Sequence, residues 1–183
     1  MQLIRASPAA LERVRARLQS LAPQTVETGR VGHGQVTVGH GPAAFLAARE
    51  ALAHWATHRS GGLRLYPDDR PPAPDLTVLV CLQASRTSPV CVVFGCRVTQ
   101  VIDEPRRWGF TYVTLPGHPV RGHELFLVEW HADDRVSFTL RTVSRPGLPL
   151  TRLARPVAEW AQRLGGRRYL RAMRAAVSAR MQP

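Results

Sequence analysis

The chain has 183 residues and 44% hydrophobic content, which suits one domain that buries roughly 70% of its unfolded surface and excludes disorder as a description of the whole chain. No run approaches the roughly 18 apolar residues that span a bilayer. The N-terminal segment carries Glu12 among its arginines and lacks the apolar core of a secretory signal. We therefore expect a cytoplasmic protein and a single domain over 1–183, with an N-terminal helix and lead-in at 1–28.

The charge is unusual in kind as well as in size. The net charge is +12, and all 25 basic residues are arginine. The plain explanation is codon usage in a GC-rich genome. The alternative is a polyanion-binding surface, because arginine pairs phosphate bidentately. The excess is concentrated between Arg141 and Pro183, where ten arginines accompany one acid, Glu159. That segment could face nucleic acid, a membrane surface or water.

Helical patterns occupy the first third of the chain. Ser7-Pro8 is typical of an N-cap followed by proline at the first helical position, and the apolar spacing carries this helix to about Pro23. Val26–Val38 is glycine-rich, with short β-like pieces. A second helix is predicted from Gly39–Pro42 to a stop at Gly61-Gly62. Its buried stripe is predicted to consist of Phe45, Ala48, Leu52 and Trp55.

The middle of the chain alternates between apolar and polar residues, as strands do. A short strand and five longer ones are predicted: Leu63–Tyr66, Thr77–Ala84, Val90–Val101, Trp108–Thr114, Glu124–Trp130 and Val136–Val143. Their short turns favour an antiparallel meander. The order of elements predicts an α+β fold, in which a curved antiparallel sheet packs its apolar face on helices.

The C-terminal region is predicted to be helical from Leu153 to Met181. Gly165-Gly166 shift the phase of its apolar stripe, which indicates a kink or two consecutive helices. The stripe before the shift is formed by Leu153, Val157, Trp160 and Leu164, and Tyr169, Met173 and Val177 resume it after the shift.

The most informative segment is Arg107–Trp130, which is predicted to form one long β-hairpin. Trp108, Phe110 and Tyr112 share one strand face because strand side chains alternate. Leu115–Pro119 interrupts the strand, since proline cannot donate to the ladder and glycine admits a positive φ. Three aromatic side chains on one face need a substantial partner surface, which is either a solid core or the wall of a cavity.

No motif in the sequence carries a catalytic or metal-binding signature, so we expect no cofactor and no metal. Cys81, Cys91 and Cys96 lack a C-x-x-C pair and are interpreted as buried small hydrophobes. His118, His123 and Glu124 could supply acid–base chemistry if they converged, but a polar turn bonded to its own backbone is the favoured interpretation. The Gly-His-Gly pieces at 32–34 and 39–41 do not match a phosphate-binding loop.

Three pieces of the chain resemble a known family in both order and spacing. They are VTVGHGPAAFLAAREALAHW, YVTLPGHPVRGHELFLVEW, and SRP followed by RRYLRAMRAAV. Together they resemble uncharacterised protein family 0548, a group of bacterial and plant proteins of unknown function, over about Gly29–Met181. The family usually has glycine at the position of Val113 and an acidic residue at that of His123. The resemblance implies a helix-grip, or START-like, fold, in which a curved sheet wraps a C-terminal helix around an apolar cavity. It implies no activity.

Three functions compete on this evidence. The first is binding of a small apolar or amphipathic ligand in a cavity between the sheet and the C-terminal helix. Its wall is predicted from Trp108, Phe110, Tyr112 and Trp160, with His118 and Arg145 as polar contacts at the rim. Arg145 and Arg141 could instead pair with Asp133 or Asp134. The second function is nucleic-acid or anionic-surface binding through the C-terminal arginines. The third is an enzyme with His118, His123 or Glu124 as its acid–base group.

Overall fold

The computed structural model describes residues 1–59, 63–67, 69–83, 85, 88–148 and 155–182, apart from the side chains at positions 155, 157–159 and 161. In that part of the chain, the helices are α1 (Pro8–Gln19), α2 (Gly41–Ala53), α3 (Ala56–Arg59) and α4 (Arg155–Met181). The strands are β1 (Gln2–Arg5), β2 (Arg30–His40), β3 (Leu63–Tyr66), β4 (Thr77–Leu82), β5 (Val90–Glu104), β6 (Arg107–Thr114), β7 (Val120–Trp130) and β8 (Arg135–Pro146).

All the strands belong to one antiparallel sheet of eight strands, in the order β2-β8-β7-β6-β5-β4-β3, with β1 paired to β5. The predicted hairpin is confirmed, because Trp108 stands opposite Val128 and Tyr112 opposite Glu124. The sheet curves, and register shifts between Thr37 and Gly39 and between Val98 and Gln100 increase its twist. It wraps α4, so the α+β prediction of a curved antiparallel sheet on a long C-terminal helix is confirmed.

The main core lies between the inner face of the sheet and the helices α2, α3 and α4. Ala48, Leu52 and Trp55 fill it from the side of α2, while Met173 and Val177 enter it from α4. These side chains are almost completely buried. Burial of a large apolar side chain contributes about 1.5–3 kcal/mol, so this layer fixes the position of α4 on the sheet.

A second, smaller core lies on the outer face of the sheet, under α1. Leu11 and Leu18 of α1 cover Leu79, Val93 and the two cysteines that follow the same alternation, Cys81 and Cys91. Gly95 makes room for the helix, since a Cβ there would lie 2.6 Å from Leu18 Cδ1. All three cysteines are buried and free, as the sequence predicted.

The structure differs from the sequence-based expectations in several places. The glycine-rich stretch before α2 forms one strand of 11 residues, β2, and Gln2–Arg5 forms an edge strand that was not predicted. Trp55 was expected within the second helix, but it has a φ of 56° and separates α2 from α3. The C-terminal helix is one element of 27 residues, so of the two alternatives for Gly165-Gly166, a kink or two consecutive helices, the second is wrong. The predicted stop at Gly61-Gly62 and the predicted start at Leu153 lie outside the described residues.

Candidate functional site

The inner face of the sheet divides into two halves along the direction of its strands. Register places Val36, Phe138, Val128 and Trp108 in one row, and Gly34, Leu140, Phe126 and Phe110 in the next. The following row is Gly32, Thr142, Glu124 and Tyr112, and the one after it contains Ser144 and Gly122. We call the first two rows the apolar half and the last two the polar half.

The apolar half is filled by aromatic rings in mutual contact. Phe110 stacks on Phe126 with centroids 5.0 Å apart, and Trp55 meets Phe110 edge-on at 4.8 Å. Trp55 donates its indole N–H to the backbone oxygen of Arg70, 2.7 Å away, so its polar atom is satisfied. Phe110 and Phe126 have no solvent exposure. These contacts are those of a packed interior.

The polar half contains a directed chain of hydrogen bonds. The hydroxyl of Tyr112 donates to Glu124 Oε2 at 2.7 Å, and His58 Nε2 lies 3.3 Å from the same hydroxyl. Because the hydroxyl hydrogen of Tyr112 is directed at Glu124, His58 acts as the donor to the Tyr112 oxygen through Nε2–H. His58 Nδ1 then accepts from Thr57 Oγ1, 3.0 Å away. The chain therefore runs from Thr57 through His58 and Tyr112 to Glu124.

Burial shifts the pKa values of the titratable groups in and beside this hydrogen-bond chain. Desolvation lowers the pKa of His58 to about 3, so its imidazole is neutral at physiological pH. Desolvation also raises the pKa of Glu124, against a smaller opposing effect of the bond from Tyr112. The pKa values of Tyr112 and Tyr169 are raised by burial first and by the Glu124 charge second. Clusters of perturbed groups of this kind concentrate at functional sites.

A cavity of about 230 Å³ lies beside this chain, between β2, β8 and the first half of α4. Leu140, Thr142 and Ser144 supply its floor from β8, while Leu170 closes its apolar end from α4. The other side chains of the lining are basic or polar: Arg30, His33, Gln162, Arg163 and Arg167. No acidic residue is among the described residues of this lining. The cavity therefore offers cationic and hydroxyl groups beside a small apolar surface.

Two glycines of β2 keep the cavity open. A Cβ at Gly32 would lie 2.5 Å from Thr142 Oγ1, and a Cβ at Gly34 would lie 2.9 Å from Leu170 Cδ1. A side chain at either position would displace a neighbour in the lining. Gln162 Nε2 donates to Ser144 Oγ at 3.0 Å, which ties α4 to β8 at the cavity. The glycine-rich sequence of β2 is thus explained by close approach, not by a phosphate-binding loop.

The predicted wall residues do not line this cavity. Trp108, Phe110 and Tyr112 share one face, as predicted, but their contacts are with the main core. Trp160 was expected in the buried stripe of the C-terminal helix, and this is wrong, since it is 60% exposed. Among the side chains of α4 that the structure describes, Tyr169, Met173 and Val177 meet the core, as predicted for the part of the stripe that follows Gly165-Gly166.

The histidines and Arg145 also take positions that the sequence did not predict as a group. The His118 ring meets Phe94 edge-on at 4.5 Å, and its Nδ1 lies 2.9 Å from the backbone oxygen of Val120, so His118 bonds to the backbone of its own turn, as the polar-turn interpretation predicted for it. His123 and Glu124 are consecutive in a strand and point to opposite faces, so the three groups do not converge. Arg145 is exposed and stands opposite Arg121 in the β7–β8 ladder. It lies at the end of β8 that is remote from Asp133 and Asp134.

Glu124, Thr142 and His58 are the functional candidates that the sequence did not yield as a site. For Glu124 and Thr142, the sequence does contain an indication. Every second residue of the strand points to the inner face, and these residues change from apolar to polar along the strand, as in Val128, Phe126 and Glu124. Among the described residues, no group of three or more His, Cys, Asp or Glu side chains is arranged to hold a metal ion. No described helix is long and apolar enough to cross a bilayer.

Comparison with known proteins places the chain in a family. Residues 12–172 match the domain of unknown function DUF1990. A UPF0548 protein from Deinococcus radiodurans is 36% identical over an alignment of 183 positions. The alignment covers 90% of this chain and 92% of the relative. The chain therefore belongs to this uncharacterised family, as the resemblance in its sequence indicated. The match begins within α1, earlier than the Gly29 boundary inferred from the sequence pieces.

Solved structures of low sequence identity share the fold. A hypothetical protein from Helicobacter pylori is 18% identical with a TM-score of 0.55, and the alignment covers 81% of this chain and 88% of that one. A protein from Thermus thermophilus is 11% identical with a TM-score of 0.53, over 84% and 100% of the two chains. A conserved protein from Geobacillus kaustophilus is 12% identical with a TM-score of 0.52, over 82% and 96%.

Proposed function

We propose that this protein binds a small amphipathic molecule with an anionic group in the cavity between β2, β8 and α4. The observation that supports the proposal is the composition of the lining, in which Arg163 and Arg167 face hydroxyl groups of β8 across the cavity and no acidic side chain is present among the described residues. Guanidinium groups pair carboxylates and phosphates with two parallel hydrogen bonds. Leu140 and Leu170 offer the apolar part of the molecule a surface.

The dimensions of the cavity limit the ligand. Its volume of about 230 Å³ lies below the roughly 300–1,000 Å³ of pockets that hold drug-sized molecules. The cavity thus takes a small molecule or one end of a longer one. Arg163 and Arg167 are exposed, so the anionic group binds near the opening and the apolar part lies inside. This order removes apolar surface from water while the charge stays partly hydrated.

Calorimetric titration with octanoate, and with octan-1-ol as its neutral counterpart, tests the proposal. We expect one octanoate per chain, and weaker binding of octan-1-ol. The double variant Arg163→Glu, Arg167→Glu should weaken octanoate binding by at least tenfold, because it replaces two cations of the lining by anions.

A matched control separates a local contact from the general positive field of the protein. Arg171→Glu, Arg174→Glu changes the charge of the same helix by the same amount, and both residues are exposed outside the lining. Octanoate affinity should change less than threefold in this variant. Equal losses in the two double variants would show a field effect and not a site. Absence of octanoate binding to the parent protein would contradict the proposal.

A further inference from the structure

Glu124 occupies a position where a carboxylate is costly. It lies next to Phe126 on the inner face of β7, and its hydrogen-bond partner is the neutral hydroxyl of Tyr112. In the described part of the chain, no arginine forms an ion pair with it, and none contributes to the raised pKa of its carboxyl. A buried charge without a counter-ion destabilises the folded protein. An apolar side chain would serve the core better at this position.

One carboxylate oxygen is left for another partner. Tyr112 donates to Oε2, while Oε1 has no hydrogen bond to any described residue. Among the described residues, the buried side-chain nitrogen and oxygen atoms all have a hydrogen-bond partner, except Arg121 Nε. Since Oε1 has no such partner and is not among these exceptions, it is not fully buried. Glu124 as a whole residue is half-buried. Oε1 therefore retains an open acceptor position.

The cavity lies beside Glu124 on the same face of the sheet, and Glu124 itself is not among the residues that line it. Thr142 stands directly opposite Glu124 in the β7–β8 ladder and belongs to the cavity floor. Gly32 stands opposite Thr142 in β2 and has no side chain to close the gap. Neighbouring strands are about 4.8 Å apart, so the carboxylate lies one strand away from the inner end of the cavity. Arg163 and Arg167 lie on the other wall, on α4.

The hydrogen-bond chain fixes the role of the free oxygen. Thr57, His58 and Tyr112 each donate a hydrogen bond in the direction of Glu124, whose carboxylate accepts through Oε2 and keeps Oε1 as an open acceptor. Its complement in a ligand is a donor group. The opposite wall calls for an anion, as argued above for the arginines.

We infer that Glu124 is a ligand-binding residue that accepts a hydrogen bond from a hydroxyl or amino group of the bound molecule. The inference rests on the proposed function, because it requires a ligand in the cavity. It narrows the ligand class to small organic anions with a hydrogen-bond donor at the end remote from the anionic group. His58 and Tyr112 are positioning residues, which hold the carboxylate towards the cavity and do not touch the ligand.

The test compares 8-hydroxyoctanoate with octanoate, two probes that differ by the donor alone. We expect the parent protein to bind the hydroxylated probe about tenfold more tightly, since its hydroxyl donates to an acceptor that octanoate leaves unused. Glu124→Met removes both acceptor oxygens and should reduce that preference to less than twofold while retaining the affinity for octanoate. Glu124→Gln keeps a neutral acceptor and the shape of the side chain, and should give an intermediate preference.

The outcomes separate this inference from the proposed function. Equal affinities of the parent protein for the two probes would overturn the inference and leave the cavity as a binding site. A preference for 8-hydroxyoctanoate over octanoate that is unchanged in Glu124→Met and Glu124→Gln would also overturn it. Another group would then accept the hydrogen bond from the hydroxyl of the probe. Failure of both probes to bind the parent protein would overturn the proposed function and the inference together.

Discussion

In the apolar half of the inner sheet face, Phe110 stacks on Phe126 and meets Trp55 edge-on, at centroid distances of 5.0 and 4.8 Å, and all three rings are completely or almost completely buried. In the polar half, the same strands present Tyr112, Glu124 and Thr142, and the opposite helix presents Gln162 and Gly166 in place of Met173 and Val177. The two halves are continuous in backbone and differ only in side chains. One half holds the helix on the sheet, whereas the other keeps polar groups beside a cavity.

The energetic contrast follows from what each half buries. Large apolar side chains lose surface to water and gain close contacts, and both effects stabilise the fold. A buried carboxylate, a neutral buried histidine and two tyrosine hydroxyls each carry a desolvation cost that their hydrogen bonds only partly offset. The polar half should therefore contribute little to stability and dominate the response to pH and to small molecules. The following predictions test that division.

Truncation in the apolar half should have the largest effect on stability. Phe110→Ala should lower the free energy of unfolding by about 3–5 kcal/mol, because Phe110 is fully buried among aromatic neighbours and its removal leaves a cavity. Urea unfolding at neutral pH measures the loss. Thr142→Ala, on the cavity floor, should cost about 1 kcal/mol or less. A loss below about 1.5 kcal/mol for Phe110→Ala would mean that the aromatic rings already border open space.

The pH dependence of stability should report the buried histidine of the polar half. Desolvation lowers the pKa of His58 in the folded protein from 6.5 to about 3. The unfolded chain therefore binds a proton at His58 near pH 6.5, whereas the folded protein binds it only near pH 3. The free energy of unfolding is thus highest above pH 6.5 and decreases as the pH falls towards 3. The slope approaches about 1.4 kcal/mol per pH unit for one histidine.

His118, whose pKa is also lowered to about 3, adds a loss of the same sign, whereas the raised pKa of Glu124 adds stability as the pH falls. The informative quantity is thus the difference between variants. Urea unfolding at several pH values between 6.5 and 5 should show a slope in His58→Gln smaller than in the parent protein by about one proton. Identical slopes would show that His58 is hydrated or charged in the folded protein.

Substitutions at the two ends of the Tyr112–Glu124 hydrogen bond should have unequal effects. Tyr112→Phe leaves the carboxylate without its described donor and should cost about 1–3 kcal/mol. Glu124→Met removes the buried carboxylate itself, and this gain should offset the orphaned tyrosine hydroxyl, so that stability stays within about 1 kcal/mol of the parent protein. Urea unfolding at pH 7.5 compares them. A larger loss for Glu124→Met than for Tyr112→Phe would assign the carboxylate a structural role.

The sequence predicted the architecture well because periodicity reports burial directly. Alternation in Arg107–Trp130 identified the hairpin and the shared face of Trp108, Phe110 and Tyr112, and each was confirmed. It could not show that Thr142, Glu124 and Tyr112 form one row, since that depends on the register of three strands, which no single strand encodes. It also could not show that Trp55 adopts a positive φ, which places the following His58 against Tyr112.

The candidate site was only partly accessible for the same reason. Glu124 was singled out by its proximity in sequence to His118 and His123, yet its actual neighbours are Tyr112, from the paired strand, and Thr142. The exposure of Trp160 was missed because a helical stripe gives a face and not the point along the helix at which the face meets the sheet. In the sequence, the glycines of β2 indicate turns. In the structure, Gly32 and Gly34 leave room for Thr142 and Leu170, which approach the strand closely.

The smallest effect is expected outside both halves, on the exposed surface of α4. Arg168, Arg171 and Arg174 are exposed there, and we expect them to be mostly solvated and to bind polyanions weakly without sequence preference. Any binding to duplex DNA or single-stranded RNA should fall steeply between 50 and 200 mM salt, because such binding is driven by counterion release. Fluorescence anisotropy with labelled oligonucleotides measures this, and Arg171→Glu, Arg174→Glu should weaken the low-salt signal. Tight binding of one defined sequence at physiological salt would contradict this prediction, because it would require base contacts that solvated arginines do not make.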